Sequence, residues 1–342
     1  MSTDQTQLSS GPGSPSAGPR GTDPIPAHDP QIPVNDSKRP PGSSGPWRLL
    51  WKKFSRNPYA MTGLVVLLIF IGLAIFAPLI TKHDPAAIDL MAANLKPGSA
   101  GHPLGTDELG GDILSRLLYS ARISLLIGFT VALASVVIGS VVGAISGYFG
   151  GWVDTIFMRI VDVMNSVPTL FLNILMMAIF GSQIKYMILI MAITSWMSIA
   201  RLVRGNFLQL REMQYVEAAR AIGVSSWGII FRHLLRNASF PIIVNATLMV
   251  GGAILSESAL SYLGLGIQAP ATSWGLMLSN AQQFMLVDPK QALYPGLCIL
   301  LVVLAVNFIG DGIRDALDPR QQVTKSRRRL DQWRKNYSKS GN

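Results

Sequence analysis

The stretch Tyr59–Ile80, which reads YAMTGLVVLLIFIGLAIFAPLI, decides the fold class of this chain. It contains no charged residue, and its length meets the roughly 20 positions that a helix needs to cross the hydrocarbon core of a bilayer. The apolar core of a cleaved signal peptide is shorter, so we expect this segment to stay in the mature protein as an anchor. The chain is therefore predicted to be a membrane protein.

Five further apolar runs predict additional membrane helices. Counting the first run as well, Pro168 predicts a kink in the third of the six runs, Arg201 shortens the fourth, and Glu257 lies inside the fifth. Only 14% of the residues are charged, against roughly 25% in soluble domains. The prediction is an all-α membrane protein with six transmembrane helices, over residues 59–80, 124–148, 163–180, 186–203, 241–263 and 292–312.

Basic residues near the ends of these runs predict the orientation. Arg48, Lys52, Lys53 and Arg56 precede the first run, and further basic residues follow the last one. Because cytoplasmic segments carry an excess of Lys and Arg, both chain ends are predicted to be cytoplasmic. The same rule, together with attraction to anionic lipids, accounts for the net charge of +10 without any nucleic-acid partner. The loop 204–240 is then also cytoplasmic.

Composition assigns the remaining segments. Residues 1–46 are rich in Pro, Gly and Ser with few large apolar residues, so we expect a disordered cytoplasmic tail. Residues 47–58 form a basic juxtamembrane segment, residues 59–319 the six-helix domain, and residues 320–342 a basic cytoplasmic tail. The single cysteine, Cys298, excludes an internal disulfide framework. The expected location is the cell membrane, crossed several times.

The polar loop 204–240 contains the stretch Glu217-Ala218-Ala219-Arg220-Ala221-Ile222-Gly223. Its residues are mostly helix formers, and Gly223 predicts a turn between two short helices. The alanines present almost no side chain, so the surface of another protein can approach the backbone, while Glu217 offers a charge for pairing. A solvated helical linker would have the same composition. The residues alone therefore leave a docking helix and a linker open.

Further motifs occur in a fixed order along residues 47–320. They are His102–Gly110 followed by Asp112, Ser120–Leu125, Gly147–Gly151, Glu217–Gly223, Ser261–Gly266, Trp274-Gly275 and Gly310–Arg320. With these motifs the chain resembles the C-type permease subunit of dipeptide and oligopeptide ABC importers. It departs from that family at Arg236, where a proline is usual, and at Gly111, where an arginine is usual. Without the proline, the helix can continue through this position.

The resemblance implies a type I ABC importer permease fold in a bacterial inner membrane. It also implies a homologous second permease, two ABC ATPase subunits that bind ATP and Mg²⁺, and an extracytoplasmic substrate-binding protein. The chain has no Gly-x-x-x-x-Gly-Lys-Ser/Thr phosphate loop, so we expect no ATPase site and no cofactor of its own. By resemblance, the residues that couple the permease to the ATPases are Glu217, Ala218, Ala219, Arg220 and Gly223.

Polar residues in the fifth predicted helix are candidates for lining the transport pathway. A carboxylate is costly in hydrocarbon, so Glu257 should face the bundle interior, a water-filled path or a partner. Ser256 and Ser261 lie close enough in sequence to satisfy it. The alternative is a structural role near the outer headgroups.

Gly139, Gly143 and Gly147 lie on one face of the second predicted helix and let a neighbouring backbone approach closely. The neighbour is either a partner permease or another helix of this chain.

We predict no covalent chemistry, because no nucleophile–base pair stands out. We also predict no metal site, because the four histidines show no metal-ligand spacing.

The leading functional prediction is half of the pathway of an ATP-driven importer for dipeptides or oligopeptides. The alternative within transport is nickel or another small solute, since the wider family shares these motifs. A secondary transporter is a third class. Against it, the sequence shows no paired broken helices in two repeat halves and no chain of intramembrane acids.

Overall fold

A computed structural model of the chain describes residues 46–99 and 101–317. The regular structure of these residues is helical, apart from two isolated β-bridges in the segment before residue 113. The predicted tails, 1–46 and 320–342, lie outside the described residues except for Pro46. The helices are α1 (Pro46–Phe54), α2 (Pro58–Ile80), α3 (Ile113–Phe149), α4 (Gly151–Asn165), α5 (Thr169–Phe180), α6 (Ile184–Ser195), α7 (Met197–Leu210), α8 (Gln214–Ala221), α9 (Ser226–Tyr262), α10 (Trp274–Ala281) and α11 (Lys290–Leu317).

Five helical segments of the described part are long and apolar enough to cross a membrane. They are α2, α3, α6 with α7, α9 and α11. Helices α4 and α5 add a sixth crossing if they count as one span, although they are bent by 82°. The predicted single helix over 163–180 is thus corrected to two helices that meet at a break. Pro168 explains the break, because proline disfavours a helical conformation in the residue before it.

The bounds of the other spans extend beyond those predicted. Helix α3 begins at Ile113 rather than at residue 124, and the Asp112 carboxylate caps it by accepting the Ser115 N–H at 2.7 Å. Helix α9 begins at Ser226 rather than at residue 241. It passes through a π-helical segment, Ile229–Leu234, and continues through Arg236. The predicted loop 204–240 therefore shrinks to residues 211–225.

Both ends of the described chain lie at the same end of the helix bundle. The Lys53 ammonium donates to the Ala316 carbonyl at 3.0 Å, and the Asn57 amide donates to the Asp315 carboxylate at 3.3 Å. We call this the basic end; α2 begins there, and α3, α7 and α11 end there. The opposite end carries the segments 81–112 and 263–289, and we call it the loop end.

The three glycines of α3 pack against α7 of the same chain. A Cβ atom added at Gly139 would lie 2.6 Å from the Trp196 carbonyl oxygen, and one at Gly147 would lie 2.7 Å from Cβ of Phe207. At Gly143 it would collide with the Ala200 carbonyl. Only glycine allows two helices this close over about two turns. The glycine stripe is therefore an internal seam.

Candidate functional site: the docking helix and the polar cavity

Helix α8 lies at the basic end, between α7 and α9, and is fixed to both of them. Its residues Val216 and Ala219 are buried and belong to one apolar cluster with Phe207 of α7 and Ile230 and Leu234 of α9. These contacts distinguish α8 from a solvated linker, because a linker would have no buried face. The cluster joins α8 to α7 and to the start of α9.

Gly223 ends α8 in a conformation that favours glycine. Its φ is +81°, in the left-handed region. The Val224 N–H donates to the Ala219 carbonyl at 3.0 Å, and the Gly223 N–H donates to the Arg220 carbonyl at 3.0 Å. This pair of bonds is the Schellman motif, which satisfies the last carbonyls of a helix. The turn lies where the sequence predicts it, although the following helix is the long α9 rather than a short one.

The outer side of α8 is exposed. Glu217, Ala218, Arg220 and Ala221 reach solvent, and Ile222 is 80% exposed. We call these five residues the docking face. The small alanine side chains leave the backbone on this side of α8 open to close approach, and Ile222 adds a large apolar side chain in solvent. Ala219, predicted with this group, points inward instead.

An ion pair joins α4 to α7 beside the docking helix. The Arg204 guanidinium donates twice to the Asp154 carboxylate, at 2.5 and 2.6 Å, and the Ser146 hydroxyl of α3 donates to the same carboxylate. A bidentate pair of this kind fixes direction as well as distance. The sequence did not reveal it, since the two partners are far apart along the chain and share no motif.

A cavity of about 340 Å³ lies between α3, α5, the α6–α7 region and α9. None of its lining residues is charged. Its polar lining consists of hydroxyl and amide side chains, from Asn165, Thr169, Thr194, Ser195, Ser198 and Ser256. Such groups can hydrogen-bond a neutral polar solute without the cost of burying a charge.

Of the three predicted pathway residues, Ser256 alone lines this cavity. Glu257 is fully buried and accepts hydrogen bonds from Ser124 at 3.1 Å and from Ser261 at 2.8 Å. Ser261 also accepts the Ile267 N–H at 3.1 Å. Neighbouring residues on a helix point about 100° apart, which separates the Glu257 side from the cavity side. Glu257 therefore ties α3, α9 and the segment before α10 together.

Comparison with known proteins identifies the family of this bundle. Residues 139–323 match the family of the binding-protein-dependent transport system inner membrane component, and residues 45–97 match the N-terminal TM domain of oligopeptide transport permease C. The chain belongs to this family of permeases. It is thus an inner-membrane subunit of an ABC importer, as its ordered motifs predict, and ATP hydrolysis occurs in separate subunits.

Three curated relatives show the degree of similarity. The chain is 43% identical to the dipeptide transport system permease protein DppC of Alkalihalophilus pseudofirmus, over 81% of this chain and 91% of the relative. It is 42% identical to the glutathione transport system permease protein GsiD of Pectobacterium atrosepticum, over 80% and 91%. The oligopeptide transport system permease protein OppC of Bacillus subtilis is 41% identical, over 79% and 90%.

Proposed function

We propose that this permease imports dipeptides and oligopeptides, and that it forms half of their pathway. The observation that carries the substrate class is the identity of 41–43%, over about four fifths of the chain, to permeases named for dipeptides, glutathione and oligopeptides. The cavity is compatible with it, because hydroxyl and amide groups can hydrogen-bond a peptide backbone. Nickel has less support, since among the described residues no imidazole, thiolate or carboxylate lines the cavity.

A second permease is needed to close the pathway. Asn165, Thr169, Ser198 and Gly252 line the cavity and are also exposed on the surface of this chain. Exposed polar groups at membrane depth are tolerated where they face protein or a water-filled path, and they are costly against lipid. We expect a homologous subunit to cover this side and to supply the other half of the cavity wall.

The docking face is proposed to bind an ABC ATPase. The alanines let a cleft on the ATPase approach the α8 backbone, Ile222 fills an apolar pocket there, and Glu217 and Arg220 select the register. Movement of the ATPase then tilts α9 and α7 through Val216 and the apolar cluster behind it. ATP and Mg²⁺ are bound by the ATPase in this scheme.

The substrate proposal is tested by uptake in cells that lack this permease gene. Complementation with the chain should restore uptake of a labelled dipeptide when the cognate partner subunits are present. Restored nickel uptake without peptide uptake would refute the peptide assignment. Purification of the chain from its native membrane should also recover a second permease, and recovery of a complex with this chain as its single permease species would refute the heterodimer.

The docking proposal is tested by charge reversal at Glu217. The variant Glu217→Lys should insert normally but lose uptake, because its charge opposes the partner surface. Glu212→Lys is the matched control: it makes the same reversal in the same loop, off the docking face, where the exposed pair with Arg211 contributes little. Equal uptake by the two variants would remove the docking face from the mechanism.

A further inference from the structure

Three side chains with metal-binding atoms meet at the loop end, far from the cavity and from the docking face. They are His83, His102 and Asp112, and their ligand atoms lie within 4.8 Å of one another. The two imidazole rings are 4.5 Å apart between centroids, and Nδ1 of His102 lies 2.9 Å from Oδ1 of Asp112. We propose that they form a binding site for a divalent transition-metal ion of the Zn²⁺ class.

The chemistry of the ligands selects this class of metal. Two imidazoles with one carboxylate suit Zn²⁺, Cu²⁺ or Ni²⁺, whereas Mg²⁺ and Ca²⁺ prefer oxygen ligands. Bonds of about 2.0–2.2 Å in a tetrahedral site place neighbouring ligand atoms about 3.3–3.6 Å apart. Nδ1 of His102 and Oδ1 of Asp112 are 2.9 Å apart, so they would separate by about 0.5 Å to admit the ion. An ion would replace the proton between these two atoms, and three protein ligands leave a position for water.

Two of the three ligands are held in place without a metal. The Asp112 side chain is 1% exposed, and its Oδ2 is occupied by the Ser115 N–H at the start of α3, which directs Oδ1 toward His102. The His102 N–H donates to the Ser99 carbonyl at 2.6 Å. Rigid ligands lower the entropic cost of binding an ion.

His83 is the residue that distinguishes a metal site from a simple hydrogen bond. The His102–Asp112 pair needs no third member, yet the His83 ring is held beside it. The His83 carbonyl accepts a hydrogen bond from the Ser115 hydroxyl at 2.7 Å, which anchors the His83 backbone to α3. The His83 side chain remains exposed. A short rotation of this exposed ring closes the site. A bound ion would then fasten the segment after α2 to the start of α3.

No sequence motif marks this site, because the ligands come from separate segments with no regular spacing. The proposal departs from the prediction that the histidines form no metal site, on the arrangement that the folded chain gives these three residues. The proposal does not depend on the transported solute, since none of the three residues lines the cavity.

The experiment uses the full-length chain without a histidine tag, purified in detergent and stripped with chelator. Calorimetric titration with Zn²⁺ should give one saturable site per chain, and Mg²⁺ should not compete. His83→Ala should weaken Zn²⁺ binding at least tenfold. The control His233→Ala, on α9 at the other end of the bundle, should bind as the wild type does.

A second variant and a second measurement distinguish loss of the metal site from misfolding of the chain. Asp112→Asn keeps an oxygen that can cap α3 but removes the negative charge, so it should also weaken Zn²⁺ binding at least tenfold while the chain stays folded by circular dichroism. Co²⁺ added to the wild type should give a visible absorption band that His83→Ala lacks. Equal Zn²⁺ affinity in the wild type and His83→Ala, or no saturable site in the wild type, would overturn the proposal.

Discussion

Replacement of Gly223 by valine tests the turn that ends the docking helix. A Cβ atom at this position would meet no atom within 4 Å, so the substitution causes no collision. Its cost comes from the backbone, because φ of +81° is unfavourable for a residue with a side chain by roughly 1–2 kcal/mol. That energy changes the population of the native turn by a factor of about 5 to 30. The equilibrium between the native turn and other conformations would shift by that factor away from the native arrangement of the docking face.

The assay is uptake by proteoliposomes that contain the complete importer, with the amount of inserted permease measured in the same sample. Gly223→Val should insert normally and transport at least fivefold more slowly. Gly223→Asn should lose less, because asparagine tolerates the left-handed region better. Gly205→Ala is the matched control: it also has open space around its Cβ but lies in α7 without a positive φ, so it should transport normally. Wild-type uptake by Gly223→Val would refute the role of the turn.

Three further predictions concern the bundle. Gly143→Ala should lower the free energy of unfolding by about 1–3 kcal/mol through overpacking. Gly252→Ala, which has open space around its Cβ, should not lower it, and thermal unfolding of the two variants in detergent measures the difference. Glu257→Gln should cost about 1–3 kcal/mol by disturbing buried hydrogen bonds and leave the competition profile of substrates unchanged, while Ser256→Val should alter that profile. Burial raises the pKa of Glu108, so the folded state binds its proton more tightly and stability should fall as the pH rises above the ordinary Glu pKa. Glu108→Gln should flatten the dependence of melting temperature on pH just above that ordinary pKa.

The membrane segments were predictable because length and hydropathy identify them without tertiary information. Tyr59–Ile80 differs from α2 by one residue at its start. The run 163–180 shows the limit of this approach, since hydropathy is continuous across a break that bends the chain by 82°. Pro168 marks the position of the break, but hydropathy carries no information on the angle; in the folded chain the ion pair between Asp154 and Arg204 joins α4 to α7.

The candidate sites were predictable to different degrees. The turn that ends α8 was predictable from Gly223, whose conformational requirement can be inferred locally, whereas the docking role of this helix stays a proposal. The burial of Glu257 away from the cavity depends on how α9 is rotated against α3, and the sequence does not specify that rotation. His83 and His102 illustrate the same limit, because only the folded loops bring them to Asp112.

The close packing of α2 on α11 has a consequence for how the permease changes shape. A Cβ atom added at Gly63 would lie 2.5 Å from the Ala305 carbonyl oxygen, and Lys53 and Asn57 bind the last turn of α11. The first span therefore packs closely against the last span within its first two turns, and the residues just before it are bonded to the last turn of α11. We expect this pair to stay rigid through a transport cycle, so that probes attached to it report no distance change while probes on α4 and α9 do.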